Sequence, residues 1–486
     1  MSISTSLLNG LSGMTAVGRS TEATSNNLAN ALTKGFTSKS TQLTSRQFGG
    51  VGVASINRAA APELTAARRI ADADAASTEP QADALGRLAR ALGESGADDS
   101  LLQRVELLES AFLALAETPE STPLQFTVVE RAKDLAGFLN GLSETIVRER
   151  ETADTTIAAQ VGIVNNNIEQ IDKINSAVAS MEDGSEQMVA LLDQRELLVD
   201  EINAILPVRA VPQPNNGLYV TTTKGQFILM DDPVALEFTQ TPVITSGMSY
   251  VPGGGGALSG LTLAGEDITP GSGSRYAPVE GSLFGQIAVR DEITPDLMDQ
   301  IDLVAFDLID RFADPAIDPS NAAGQTGLFT AAGTTAVPAS AEGAAFAIAV
   351  NTVVDPQNGG DPTRLRDGLF STAPGPLTSD VVPRGLLGAL RQERATTGLG
   401  IAGDVSTAEI VTSITEYTAT RRVRSESEMA LRTSTRDTIA LGEGRAVGVN
   451  QDEELQRLVQ LEQSYAANVQ VIQTASRMLQ DLLEIR

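Results

Sequence analysis

The 486-residue chain contains no cysteine, no histidine and no tryptophan, and aromatic residues make up only 4% of it. Without thiols there is no disulfide framework, no thiolate nucleophile, no zinc ribbon and no iron–sulfur cluster. Without imidazole there is no base for a serine nucleophile, no HExxH zinc site and no facial triad for iron. Catalysis would have to run on carboxylate, Lys, Ser or Tyr chemistry. Long apolar runs are missing as well. The longest candidate, Ala344 to Val350, falls far short of the roughly 18 to 20 residues of a membrane span. The opening MSISTSLLNGLSGMTAVG has no basic region ahead of its apolar residues and no continuous apolar stretch, so a cleaved secretory signal is not expected. A cytosolic protein, or one exported on an uncleaved N-terminus, is.

Acid outweighs base, 62 residues to 35, for a formal charge of −27. A nucleic-acid or anionic-membrane partner would need a concentrated basic surface, which this balance disfavours. The charge is uneven: residues 1–70 carry +5, residues 405–486 carry −3, and the body between them holds −29. A chain of this length can bury a sizeable core and divides into roughly two to four structural units.

At the N-terminus Ile3, Leu7, Gly10, Met14, Val17, Thr21, Thr24, Leu28 and Ala31 recur in steps of four and three, a heptad-spaced stripe. At the C-terminus Leu455, Leu458, Glu462, Tyr465, Val469, Ile472, Ser476, Leu479 and Leu483 do the same, widened by Leu461, Val471, Met478 and Leu482. The first stripe is poor in apolar area and needs a partner to fold. Two readings stand side by side: the ends pack on each other within one domain, or they are self-assembly surfaces buried between subunits.

From about 79 to 206 the spacing predicts nearly continuous helix, with breaks at Thr118–Pro123, around Thr152 and at Asp183–Gly184, and Pro207 as its end. LYVTTTKGQFIL, Leu218 to Leu229, alternates about Lys224-Gly225 and reads as a hairpin. Helix returns at Leu283 to Phe312. Residues 313–404 are rich in Ala, Gly, Pro and Thr and read as a small β-rich or loosely folded insert. A last pair of helices runs from Ser406 to Leu441 and, after a loop at Gly442 to Asn450, to the end. The fold class is mainly α with a β-containing middle: a long helical bundle shaft, coiled-coil-like paired ends and a small β-rich insert. The units are 1–75, pairing with 442–486; the shaft 76–206; a β-rich insertion 207–280; a shaft helix 281–312; a variable Ala/Gly-rich segment 313–404; a returning helix 405–441; and the C-terminal helix 442–486.

Nothing local points to chemistry. Gly253 to Gly256 lacks the GK[ST] of a phosphate loop. The Asp231-Asp232 pair and Asp314 with Asp318 lack the spacing of a calcium loop. No catalytic, cofactor-binding or metal-ligating residue is expected, and no cofactor.

Two motifs carry more. SNNLANALTKGF, Ser25 to Phe36, reads as a helix end turning into an extended segment, since Asn and Gly tolerate left-handed geometry. GVNQDEELQRLVQLEQSYAANVQVIQTASRMLQDLLEIR, Gly448 to Arg486, opens with residues suited to a helix N-terminus. The first resembles the N-terminal signature of bacterial flagellar rod, hook and hook-associated proteins, and the second their C-terminal segment. LLDQRELLVDEIN (Leu191 to Asn203), GSLFGQI (Gly281 to Ile287) and the final LLEIR are similar to the hook–filament junction members of that family. The resemblance covers about 1–312 and 400–486. Phe36 stands where many members have Tyr, and 313–404 is shorter than the outer β-domain of larger members.

The resemblance implies a non-enzymatic structural component of the flagellum that joins hook to filament. It implies export through the flagellar type III apparatus and an extracellular location, with no membrane insertion and no nucleic acid. Subunit assembly would use Ile3, Leu7, Met14, Val17, Ser25, Asn26, Asn27, Leu28, Asn30, Gly35 and Phe36 with Leu455, Leu458, Tyr465, Val469, Ile472, Leu479 and Leu483. Implied partners are further copies in a ring, hook protein on one side, a second junction protein leading to flagellin on the other, and a cytosolic export chaperone. The chaperone would cover Leu455, Leu458, Val469, Ile472 and Leu479. The rivals are a hook or distal-rod protein of the same family and, from another class, a secreted carboxylate hydrolase on a flagellar-type scaffold.

Overall fold

The computed structural model describes residues 3–33, 35–47, 49–93, 97, 99–395 and 403–484. Lys34 of the N-terminal motif and Ile485-Arg486 of the C-terminal one lie outside the described residues. The chain opens with α1 (Ile3–Ala29), a hairpin of β1 (Lys39–Ser45) and β2 (Val51–Arg58), and α2 (Pro62–Leu92). Three further helices follow: α3 (Leu101–Glu117), α4 (Thr122–Val178) and α5 (Glu186–Ile205). Serine caps fix two of these starts, Ser100 accepting from the Gln103 N–H and Ser185 from that of Met188.

The helix α4 runs without the interruption expected around Thr152. The Thr152 hydroxyl donates to the Arg148 carbonyl at 2.8 Å, so a residue that often ends helices is satisfied inside this one. Its 57 residues make a rod about 85 Å long at 1.5 Å per residue.

Two antiparallel three-stranded sheets follow. One is β3 (Val208–Pro212), β4 (Leu218–Thr222) and β5 (Phe227–Leu229), which contains the expected hairpin; the other is β6 (Leu236–Glu237), β7 (Thr262–Leu263) and β8 (Glu266–Asp267). The returning rod is not one helix. It consists of α6 (Ser282–Ala288), a π-turn at Val289–Ile293 and α7 (Thr294–Phe312).

Residues 313–395 hold short pieces: β9 (Phe329–Ala331), α8 (Ala344–Ala347), β10 (Ile348–Val350), α9 (Arg364–Asp367), α10 (Val381–Arg391) and β11 (Arg394–Ala395), the last paired with β12 (Asp404–Val405). These pieces are not loosely attached. Leu328, Phe329, Leu386 and Leu390 are buried in the same core as Phe112 and Phe312, because an Ala- and Gly-rich chain can lie close against helices. A capping box, Ser406 with Glu409, then starts α11 (Thr407–Val447), which continues through the expected loop at Gly442 and leaves only 448–450 before α12 (Gln451–Glu484).

Two hydrophobic cores result. The first joins the second half of α2 (Ala84, Leu85, Leu88 and Leu92), α3, the first half of α4, α7, the short pieces between 313 and 395 with Val405, and the start of α11; the second joins the rest of α4, α5, the two sheets and α6. Outside both, α1 lies on α12, and α2 also lies along α11.

Candidate assembly surface

The two chain ends meet as an antiparallel helix pair, with Ile472 over Gly10 and Asn468 over Gly13 near one end and Glu454 beside Asn27 at the other. Of the expected stripe on α1, Ile3, Leu7, Met14, Val17 and Leu28 are half-buried. On α12 the expected stripe divides. Leu458, Val469 and Ile472 are half-buried, whereas Leu455, Tyr465, Leu479 and Leu483 are exposed. Val459, Val471, Met478 and Leu482 on α12 and Leu8 and Leu11 on α1 are exposed too. Among the described residues α12 buries only Glu454 and Ala475.

The amide motif works inside the chain. Asn27 is fully buried; its Nδ2 donates to the Lys39 carbonyl at 2.8 Å and to Glu454 Oε1 at 2.9 Å, while its Oδ1 accepts from the Lys39 N–H at 2.9 Å. Both amide protons are thus used within the subunit, and the two end motifs are tied to each other directly. Asn30 Nδ2 donates to Asn26 Oδ1 at 2.6 Å and to its carbonyl at 3.0 Å, closing the end of α1. Ser25 is exposed, and Phe36 is half-buried beneath the Lys39 ammonium. Gly35 has φ +78°, and a Cβ there would fall 2.2 Å from Leu197 of α5, so this turn needs glycine twice over.

Sequence reasoning did not find what fixes this pair to the shaft, a clasp centred on the DQR segment of α5. Asp193 accepts from Lys39 Nζ at 3.0 Å and Arg58 Nη1 at 3.2 Å. Glu196 takes Arg58 Nη2 at 3.3 Å and Arg69 Nη2 at 2.6 Å, and Asp200 takes Arg68 Nη2 at 2.6 Å and Arg69 Nε at 2.7 Å. Arg68 also holds Asp72 and, with Thr65, Glu443 at the end of α11. Burial works against charge on Glu196, but Arg69 and Arg58 outweigh it and hold this carboxyl below its ordinary value. Arg195 points the other way, donating to Asn175 Oδ1 of α4 and to the Asn216 carbonyl. The excess of base in residues 1–70 and the acids of 193–200 were the available signal.

The arrangement ties to the shaft a helix pair that leaves apolar side chains exposed on both helices. Among the described residues no group of acidic side chains is placed to hold a metal ion, and no helix is long and apolar enough to cross a membrane.

Comparison with known proteins gives three results. Residues 85–329, just over half of the chain, match the family model of the flagellar hook-associated protein FlgK helical domain, and residues 445–485 match that of the flagellar basal body rod FlgEFG protein C-terminal region. Flagellar hook-associated protein 1 of Bacillus subtilis is 26% identical over 221 residues, 42% of this chain and 43% of that protein. The flagellar hook junction protein FlgK from Burkholderia pseudomallei superposes with a TM-score of 0.44 at 18% identity, covering 56% of this chain and 47% of the other. The matched part spans less than half the length of either relative.

Proposed function

The chain belongs to the FlgK family of flagellar hook-associated proteins, and on that premise we propose that it is a structural adaptor joining the flagellar hook to the filament. The observation that carries this reading is the α1–α12 pair. It brings both chain ends together yet leaves Leu8, Leu11, Leu455, Val459, Met478 and Leu482 exposed on the two helices. Exposed apolar surface of this kind favours association. Neighbouring copies in a ring would cover it, so that folding of the ends is completed by assembly. Hook protein would lie on one side of the ring and a second junction protein on the other, with the acidic body outside.

The same surface accounts for an export chaperone. Leu455 and Leu479 are exposed, and Leu458, Val469 and Ile472 only half-buried, so a cytosolic partner would have to cover α12 before export to the cell exterior. A chain without cysteine can pass an export channel unfolded and uncrosslinked. No step of this role calls for catalysis.

The test is a bacterium whose only copy carries Leu455→Asp, Tyr465→Asp and Leu483→Asp. The purified variant should keep its helical circular dichroism, because none of the three is buried. Cells should make hooks without filaments, visible by electron microscopy, and should not swim. Intact filaments of ordinary length would sink the junction role.

A further inference from the structure

The boundary between the two hydrophobic cores is a polar layer. On α4 the first core reaches Ala153 and the second begins at Ile157; on the returning rod the second core ends at Ile287 and the first begins at Val289. Where the two cores meet, four polar residues are buried: Asp154 between Ala153 and Ile157, and Arg150, Arg290 and Thr294 at the adjoining edge of the first core. Arg290 Nη1 donates to Asp154 Oδ1 at 2.8 Å, and Asp154 Oδ2 accepts from the Thr241 N–H at 2.8 Å. Arg150 Nε donates to the Arg290 carbonyl at 2.8 Å. Packed apolar cores resist deformation because their side chains interdigitate. At this level buried ion pairs and hydrogen bonds stand among the apolar contacts of α4 and the returning rod.

Two of the helices that pass this level, the returning rod and α2, carry a backbone irregularity near it. In the returning rod it is the π-turn at Val289–Ile293, where the Thr294 hydroxyl donates to the Val289 carbonyl at 2.7 Å. In α4 the hydroxyls of Thr152 and Thr156 bond back to the carbonyls four residues earlier, an arrangement that bends helices. In α2 it is Pro80, whose missing N–H leaves the Ala76 carbonyl without its helical donor. Pro80 sits against Gly285 of α6, where a Cβ would come 2.5 Å from the Ser77 carbonyl oxygen. In α11 no residue between Thr418 and Glu443 is buried. A polar cavity of about 270 Å³ lies there beside α2 and α6, lined by Asp74, Ser77, Gln81, Glu280, Glu428 and Arg432 and bridged by the Arg432 Nη1–Asp74 Oδ2 ion pair at 2.8 Å.

We propose that this layer is a flexure joint, about which the part of the shaft carrying the terminal pair tilts relative to the part carrying residues 313–405. The geometry suits small rotations. The buried Arg290–Asp154 ion pair ties the returning rod to α4 at this level and keeps the two helices in register. The π-turn and Pro80 supply backbone that yields without breaking a complete helical ladder, and the cavity supplies room. An adaptor between two lattices would use such a joint, but the joint is a property of the single chain and does not depend on the flagellar role.

Spin-label distance measurements on the purified full-length protein test it. The absence of native cysteine allows Glu106→Cys on α3 and Gln187→Cys on α5 to place one label on each side, both at exposed helical positions. Glu106→Cys with Glu130→Cys keeps both labels on one side as the control. The distribution across the layer should be about twofold broader than the control. Pro80→Ala, and separately Asp154→Leu with Arg290→Met, should narrow it toward the control. A distribution as narrow as the control in the parent protein, or a breadth that folded Pro80→Ala leaves unchanged, overturns the joint.

Discussion

The shaft and the terminal pair are both long helices, but they are held together by different physics. In the shaft, α4 alone buries Val128, Leu135, Leu139, Ile146, Ile157, Val164 and Ile171 among many others, and in its first core Phe312 meets Phe112 at a tilt and Phe329 edge-on, at centroid distances of 5.8 and 5.4 Å. In the terminal pair the buried positions are Gly10, Ala16, Ser20, Thr24 and Asn27 on α1 and Glu454 and Ala475 on α12. Small and polar residues bury little apolar area, which is the main source of helix stability in a fold. One region is therefore complete as a single chain. The other is held by hydrogen bonds and a clasp of ion pairs, with its apolar area still on offer.

The largest consequence is in backbone protection. Amide exchange in α12 and in the first half of α1 should be roughly a thousandfold faster or more than in α4 between Ile157 and Val178, since local opening there loses few apolar contacts. Hydrogen-exchange mass spectrometry of the monomer measures this, and equal protection in the two regions would break the contrast. Core truncation sharpens it. Phe112→Ala should cost about 3–5 kcal/mol in denaturant unfolding. Ile472→Ala, at a half-buried seam position, should cost about 1 kcal/mol or less. A cost for Ile472→Ala matching that of Phe112→Ala would mean the pair is already a finished core.

The helical layout could be read from the sequence because it is periodic; the ends left two readings open, and of the heptad steps inside α1, Ile3, Leu7, Met14, Val17, Thr21 and Leu28 are half-buried and Gly10 and Thr24 buried. The parts that escaped are those that periodicity does not encode. Arg68 meets Asp200 132 positions later and Glu443 375 positions later, so the clasp is visible only once the chain is folded. Thr152 misleads because its hydroxyl can bond to its own helix as well as end it. The π-turn left a trace that could have been used: apolar residues at Leu283 and Ile287 are followed next in the stripe by Ile293, a gap too wide for an α-helical face. The β1–β2 hairpin escaped because its strands are mostly polar and half exposed, with a bulge between Gln42 and Leu43.

The smallest expected effect separates the regions by pH. In the shaft, burial of Asp302 raises its carboxyl from 3.8 to about 6, against the Gly343 and Ala345 N–H groups that favour the anion. A carboxyl raised in the folded state binds a proton more tightly there than in the unfolded chain, so acidification from pH 7 through 6 should stabilise the fold. Asp299, also raised by burial, acts in the same direction. In the clasp, Glu196 is lowered from 4.5 despite burial, by Arg69 and Arg58. Its contribution is complete above the unfolded value and is lost as pH falls below 4.5 through the folded one. The denaturation midpoint should therefore rise by an amount worth about 1 kcal/mol between pH 7 and 5 and fall again below pH 4.5. Asp302→Asn should flatten the upper limb alone and Glu196→Gln should flatten the lower one. A midpoint that falls steadily from pH 7 downward would show that carboxylates of the clasp, and not the buried acids of the shaft, set the stability of the whole chain.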